Sequence, residues 1–183
     1  WESELLPIQV RQLKKILYLA AGNPESADKE VKELIKAGTA QTEKLYGYKF
    51  KLEGKEITPN DIDSLLSHAT DTTIRRKAWE ASKEIGKELK PGLMNLVGLR
   101  NKVVQGLGYP DYFTYMVSDY GMTKDEMMAM LKKFNKELYP LFNELHTYMR
   151  YELAKKYKAK EVPDFIPAQW LSNRWGQDWS EMV

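Results

Sequence analysis

Apolar residues recur at spacings of three and four along most of this 183-residue chain, and that period restricts it to a fold built from helices. Leu6, Val10, Leu13, Leu17 and Ala20 fall on one helical face, which Gly22 and Asn23 stop. Asn23 then caps a second helix, with Pro24 at its first position and Val31, Leu34, Ile35, Gly38 and Leu45 along it. The period changes once. Lys49-Phe50-Lys51-Leu52 alternates polar and apolar, Glu53-Gly54 reads as a turn, and Ile57 follows, which predicts a short β-hairpin near 48–57. The expected class is therefore mainly α, multi-helix, with this one hairpin.

Further along, Thr58-Pro59-Asn60-Asp61 starts a helix, with Asp61 placed as the acid of a capping box. A helix beginning after Asp71 is expected to carry Ile74, Ala78, Ala81 and Ile85. Pro91 is expected to open a fresh one holding Leu93, Leu96, Val97, Val104 and Leu107, with Gly108 just past its end. Thr123 and Glu126 form a second capping box ahead of Met127, Leu131, Phe134, Leu138, Leu141, Leu145, Met149 and Leu153. A helix from Lys124 to Tyr157 would span about 50 Å, and Pro140 inside it predicts a kink or break. Pro163 and Pro167 mark a loop, a short helix follows from Ala168, and Trp175 and Trp179, four apart, could share a helical face. Because Trp170, Trp175 and Trp179 crowd toward Val183 with nothing after them to pack against, the chain is expected to be cut mid-fold. Its start at Trp1 is expected to be equally artificial.

Composition excludes several functions. Lysine and arginine number 28 against 26 acids, which gives no electrostatic ground for a nucleic-acid partner or an anionic membrane. No apolar run is long enough for a transmembrane helix. Cysteine is absent, so disulfides, thiol catalysis and cysteine metal ligands are excluded. The two histidines, His68 and His146, stand in no HExxH or HxH spacing, so no catalytic or metal-binding residue is identified in this chain. His146 is expected to be a hydrogen-bonded, partly buried histidine. No nucleophile elbow or phosphate-binding loop is present. Lys155, Lys156, Lys158 and Lys160 suit the negative end of a helix macrodipole, and Met127, Met128 and Met130 suit a helical core. One residue stands out. Gln177, between Trp175 and Trp179, would set a neutral double donor in an apolar wall, which suits a carboxylate or a peptide group.

The segment Ile166-Pro167-Ala168-Gln169-Trp170-Leu171-Ser172-Asn173-Arg174-Trp175-Gly176-Gln177-Asp178-Trp179 resembles the IPAHLLGNMWAQTW region of the angiotensin-converting enzyme family. Leu138 to Arg150 is similar to the family's L-x-P-L-Y-x-x-L-H-x-Y-V-R, and Ala78-Trp79-Glu80 to its AWEGW helix. Leu107-Gly108-Tyr109 fits an L-G-Y pattern shared with thimet-type oligopeptidases. The likeness runs in order over residues 40 to 183. It implies a gluzincin peptidase of two helical lobes, in which an HExxH helix and a downstream glutamate hold zinc. Members release dipeptides from peptide C-termini and are often activated by chloride. On that reading residues 1–183 are the N-terminal portion of the catalytic domain, ending before the zinc helix, and zinc belongs to the intact parent. The expected partners are peptide substrates and the remainder of the peptidase, and the expected location is extracellular or periplasmic.

Residue by residue, the resemblance implies that Gln177 meets the substrate's C-terminal carboxylate, and that Tyr120 and Lys83 bind chloride. Lys83 stands where the animal enzymes have arginine; it keeps the charge and loses the planar fork. Asp178 departs from the family's threonine, and the absence of cysteine near the hairpin favours a bacterial-type or divergent member. Two other readings stand beside this one: a thimet-type zinc oligopeptidase, and a non-catalytic helical peptide-binding or interaction domain.

Overall fold

The structure, a computed structural model, describes residues 2–20, 24–177 and 179. Gly22 and Asn23, read as a helix stop and an N-cap, and Asp178, read as a departure from the family pattern, lie outside the described residues. The chain is mainly α. In order it forms α1 (Pro7–Ala20), α2 (Asp28–Gly47), β1 (Phe50–Leu52), β2 (Lys55–Ile57), α3 (Pro59–His68), α4 (Thr72–Lys83), α5 (Ile85–Gln105), α6 (Tyr112–Ser118) and α7 (Lys124–Lys156). Short 3-10 turns cover Glu2–Glu4, Glu25–Ala27 and Ala168–Trp170.

Local chemistry fixes most boundaries. The Thr58 hydroxyl accepts from the Asp61 N–H while the Asp61 carboxylate accepts from the Thr58 N–H, which closes the capping box of α3. Thr123 and Glu126 do the same for α7. Strands β1 and β2 pair antiparallel with Phe50 opposite Ile57, and Glu53 and Gly54 both take positive φ, as a two-residue hairpin turn of right-handed twist requires. Gly108 ends α5 at φ +86°, where the Tyr109 N–H reaches back to the Val104 carbonyl. Lys158 ends α7 in the same way, at φ +51°.

The helix start expected at Pro91 lies elsewhere, and the break that Pro140 could have caused does not occur. The break falls at Glu84 rather than Pro91: α5 starts at Ile85 and carries Pro91 inside it. The bonds Glu84 N–H to Ala81 O and Lys87 N–H to Glu84 O are the short i to i+3 type that separates α4 from α5. Helix α7 runs unbroken through Pro140. A proline removes one ladder bond, that of the carbonyl four residues back, and here that carbonyl belongs to exposed Lys136, where water can serve it.

The contacts divide the chain into two compact units. The first comprises residues 1–44 and 89–134. Its core centres on Val104 and Tyr115, packed with Tyr18, Tyr109 and Tyr112. The Tyr115 hydroxyl donates to the Tyr18 carbonyl at 3.0 Å, and the two rings stack 4.7 Å apart. No residue of α1 is buried; Leu13 and Leu17 on its apolar face are exposed, as is Leu6 just before the helix.

The second unit comprises residues 45–88 and 135–183. Here the last turns of α7 supply Met149, Leu153 and Ala154 to a core closed by Trp170 and Leu171. Earlier on the same helix Leu138, Leu141 and Phe142 are exposed.

Candidate functional site

The site grows from the first turn of α4. The Asp71 carboxylate accepts from the N–H groups of Thr73 and Ile74 at 2.7 and 3.3 Å, and this cap sets where the helix begins. With that start, Arg75, Trp79 and Lys83 follow at intervals of four and line one stripe of the helix. The stripe holds the segment that follows α7.

Arg75 is only 2% exposed. Its Nε donates to the Gln169 carbonyl at 2.7 Å, its Nη1 to the Ala69 carbonyl at 2.9 Å and its Nη2 to the Leu171 carbonyl at 3.0 Å. The guanidinium also lies 5.2 Å from the centre of the Tyr157 ring. Burial pushes the Arg75 pKa down and the Tyr157 pKa up. A buried cation is thus satisfied by main-chain oxygens and an aromatic face, and in return it fixes the path of residues 169–171.

One turn-pair further along α4, the Lys83 ammonium donates to the Arg174 carbonyl at 2.7 Å. It sits between two indoles, 5.1 Å from the Trp79 ring and 4.5 Å from the Trp175 ring. Burial lowers its pKa, and the neighbouring positive charge of Arg174 adds to the effect. The Arg174 side chain turns to α3, where its Nη2 donates to Asp63 Oδ2 at 2.9 Å and its Nε lies 2.7 Å from Oδ1.

Residues 173–176 then form a turn rather than the helix that the Trp175–Trp179 spacing suggested. The Asn173 side-chain oxygen accepts from the Trp175 N–H at 2.7 Å, and the Gly176 N–H donates to the Asn173 carbonyl at 3.1 Å. Gly176 has φ +65°, and a Cβ there would approach Leu171 Cδ1 at 3.2 Å. On the far side, Trp179 Nε1 donates to the Gly176 carbonyl, and its ring lies beside Phe142 and His146 of α7. Gln177 is exposed between these two anchors.

Of the residues singled out from sequence, Gln177 and Lys83 thus belong to one local arrangement in the second unit, with Lys83 bonded three residues ahead of Gln177. Tyr120 belongs to the first unit, where it follows α6 and is 70% exposed. His68 is exposed, with Nδ1 3.0 Å from the Ser64 carbonyl oxygen. His146 is half-buried, as expected, between Phe142 and Trp179. Arg75, Asp63 and Arg174 were not anticipated. The only hint in the sequence was that Arg75 and Lys83 share a helical stripe with Trp79.

Among the described residues no three His, Asp or Glu side chains come together to hold a metal ion. The described side chains therefore do not fit a zinc ion. Among the same residues no helix is long and apolar enough to cross a membrane.

A model of the angiotensin-converting enzyme family of peptidases matches residues 4–183. Angiotensin-converting enzyme-like protein Ace3 of Mus musculus is 32% identical over 127 residues, which is 67% of this chain and 17% of that protein. The angiotensin-converting enzyme-related protein of Drosophila melanogaster is 30% identical over 125 residues, 67% of this chain and 20% of that protein. The angiotensin-converting enzyme of Rattus norvegicus is 32% identical over 108 residues, 58% of this chain and 8% of that protein. The matched stretch spans a fifth or less of each of these relatives.

Proposed function

This chain belongs to the angiotensin-converting enzyme family of peptidases, and from that premise we propose that it forms one wall of the substrate cleft of a zinc peptidyl dipeptidase. In this reading Gln177 donates its side-chain amide to the C-terminal carboxylate of a bound peptide, and the enzyme removes dipeptides from that end. Zinc and the residues that hold it come from the parent protein outside these 183 positions. Lys83 and Tyr120 bind chloride. The partners are peptide substrates and the rest of the peptidase, in an extracellular or periplasmic setting.

The observation that carries the reading is the placement of Gln177. It is exposed directly after a turn held from α4 through Lys83 and from α3 through Asp63, and it falls within the segment that most resembles the family. A carboxylate receptor needs a donor whose main chain does not move when the ligand arrives, and a turn bonded at both ends meets that need. The exposed apolar residues of α7, Leu138, Leu141 and Phe142, support a chain that packs within a larger body.

The test is made on the protein encoded by the complete reading frame, loaded with zinc. It is expected to release a C-terminal dipeptide from an N-acylated tripeptide. Gln177→Ala should lower kcat/KM for this free-acid substrate by about 1–3 kcal/mol in transition-state binding, the worth of a hydrogen bond to a charged group. An unchanged specificity constant would remove Gln177 from the site. Internal cleavage of peptides with a blocked C-terminus would instead favour an oligopeptidase of the thimet type.

A further inference from the structure

Arg174 is gripped twice, and by different helices. Its main-chain carbonyl accepts from Lys83 of α4 at 2.7 Å, and its guanidinium meets the Asp63 carboxylate of α3 through two nitrogens. The Arg174 side chain is 15% exposed and that of Asp63 is 49% exposed, so the pair is partly withdrawn from water on the arginine side. The guanidinium also lies 5.6 Å from the centre of the Trp175 ring. Holding both the backbone and the side chain of one residue removes the freedom of the turn about that point, because neither rotation of the peptide nor swing of the side chain is left unopposed.

This point stands three residues ahead of Gln177. Between them, Asn173 closes the turn through its side-chain oxygen, and Gly176 takes a positive φ with Leu171 packed against the side where a Cβ would stand. Beyond Gln177, Trp179 bonds back to the Gly176 carbonyl. The direction in which Gln177 leaves the chain is therefore set upstream by Arg174 and downstream by Trp179.

We propose that Arg174, through its ion pair with Asp63, is a positioning residue that aims Gln177 and so sets the preference of the site for a free C-terminal carboxylate. The proposal rests on the role given above to Gln177. Arg174 itself touches no substrate. Its own charge is already committed to Asp63, and what it provides is a fixed origin for the turn. A misplacement of Gln177 by a fraction of an ångström would weaken a charge-assisted hydrogen bond to the carboxylate while leaving the reacting bond untouched.

The experiment uses the zinc-loaded full-length protein, an N-acylated tripeptide with a free C-terminus, and the amide of the same peptide as a competing ligand. Arg174→Met keeps the length of the side chain and removes the ion pair; Asp63→Asn removes the same pair from the other side. Each is expected to raise KM for the free acid about tenfold, to leave kcat within about twofold, and to leave the inhibition constant of the amide unmoved. The double variant should be no worse than either single one, because both remove one interaction. Arg174→Lys, which retains the charge near Asp63, should recover most of the loss. Equal weakening of acid and amide, or a fall in kcat alone, would show a general structural role and overturn the proposal, as would an unchanged KM. Gln177→Ala run in parallel separates the two readings. If it abolishes the preference for the acid while Arg174→Met preserves it, the positioning role falls and Gln177 stands. If Gln177→Ala itself leaves the preference intact, the role of Gln177 fails and takes the positioning role with it.

Discussion

Arg75 and Leu171 are 96 positions apart in sequence, and the Arg75 guanidinium donates to the Leu171 carbonyl at 3.0 Å with both residues buried. Two further carbonyls, of Gln169 and Ala69, depend on the same side chain. Arg75→Met keeps the apolar stem and takes the donor from three acceptors, one buried at Leu171 and two partly buried at Gln169 and Ala69. The expected loss is roughly 2–4 kcal/mol of stability, since each buried group stranded without a partner costs about 1–3 kcal/mol and the backbone can relax around some of them. Arg75→Lys should fall between, because one ammonium cannot reach three diverging oxygens as a planar fork does. Urea unfolding would read this as a lower midpoint at constant slope. A loss below about 0.5 kcal/mol for Arg75→Met would mean that the clamp is decorative.

A helix-interior glycine normally gains from replacement by alanine, by roughly 0.5–1 kcal/mol. Gly92 should do the opposite. A Cβ there would lie 2.8 Å from Nε2 of the Gln41 carboxamide and nearer still to its Cδ and Oε1. Gln41 is buried, and its Nε2 donates to the Leu89 carbonyl at 2.8 Å, so it cannot yield without giving up that bond. Gly92→Ala is expected to cost about 1–3 kcal/mol. Combined with Gln41→Ala, which vacates the space, it should cost less than the sum of the two single changes. Strict additivity in a double-mutant cycle would refute the clash.

What could be read in the sequence was what sequence neighbours decide among themselves. Thr58 with Asp61, Thr123 with Glu126, and Glu53 with Gly54 each complete their chemistry within four residues, and each was legible. The start of α5 was not. The sequence showed the helix-opening habit of Pro91 but not the short-range bonds at Glu84, which depend on how the α4 end is held. The four-residue spacing of Trp175 and Trp179 was misleading because Gly176 takes a left-handed φ between them. Gln177 stood out as a candidate because its neighbours in sequence are unusual. The contacts that frame it could not be found: Lys83 stood out only for chloride and Arg75 and Asp63 not at all, because all three act on partners some 90 to 110 positions away, and for Arg75 and Lys83 those partners are backbone carbonyls that leave no mark in the side-chain sequence.

Tyr115 gives a pH test of the first unit. Burial, followed by the neighbouring Tyr18, raises its pKa from the ordinary 10.0 to about 12. The folded state thus favours the neutral phenol. Its contribution is complete below pH 10, where the unfolded phenol is also neutral, and it is lost as pH rises from there through about 12, because the unfolded state gives up its proton first. Tyr115→Phe removes the hydroxyl that donates to the Tyr18 carbonyl, and should cost about 1 kcal/mol at pH 8. The gap between variant and wild type should then narrow as pH climbs above 10. Denaturant midpoints measured from pH 8 upward would check this, and two parallel curves would contradict it.

Lys83 carries the last prediction, because its ammonium has a reason to welcome an anion. Burial lowers its pKa first, and the charge of Arg174 lowers it further. With the folded pKa depressed, the charged form is the strained one in the native state, and stability should rise as pH climbs through that lowered value toward the 10.5 of the unfolded chain. An anion seated beside the ammonium would relieve the same strain at neutral pH. If chloride binds at Lys83, chloride at ten times its Kd should stabilise the protein by about 1.4 kcal/mol over acetate at equal ionic strength. Lys83→Met should lose that increment. Tyr120→Phe, in the other unit, tests the second residue assigned to chloride by the same comparison. Equal responses to chloride in wild type and Lys83→Met would leave Lys83 with one task, donating to the Arg174 carbonyl between the two indoles.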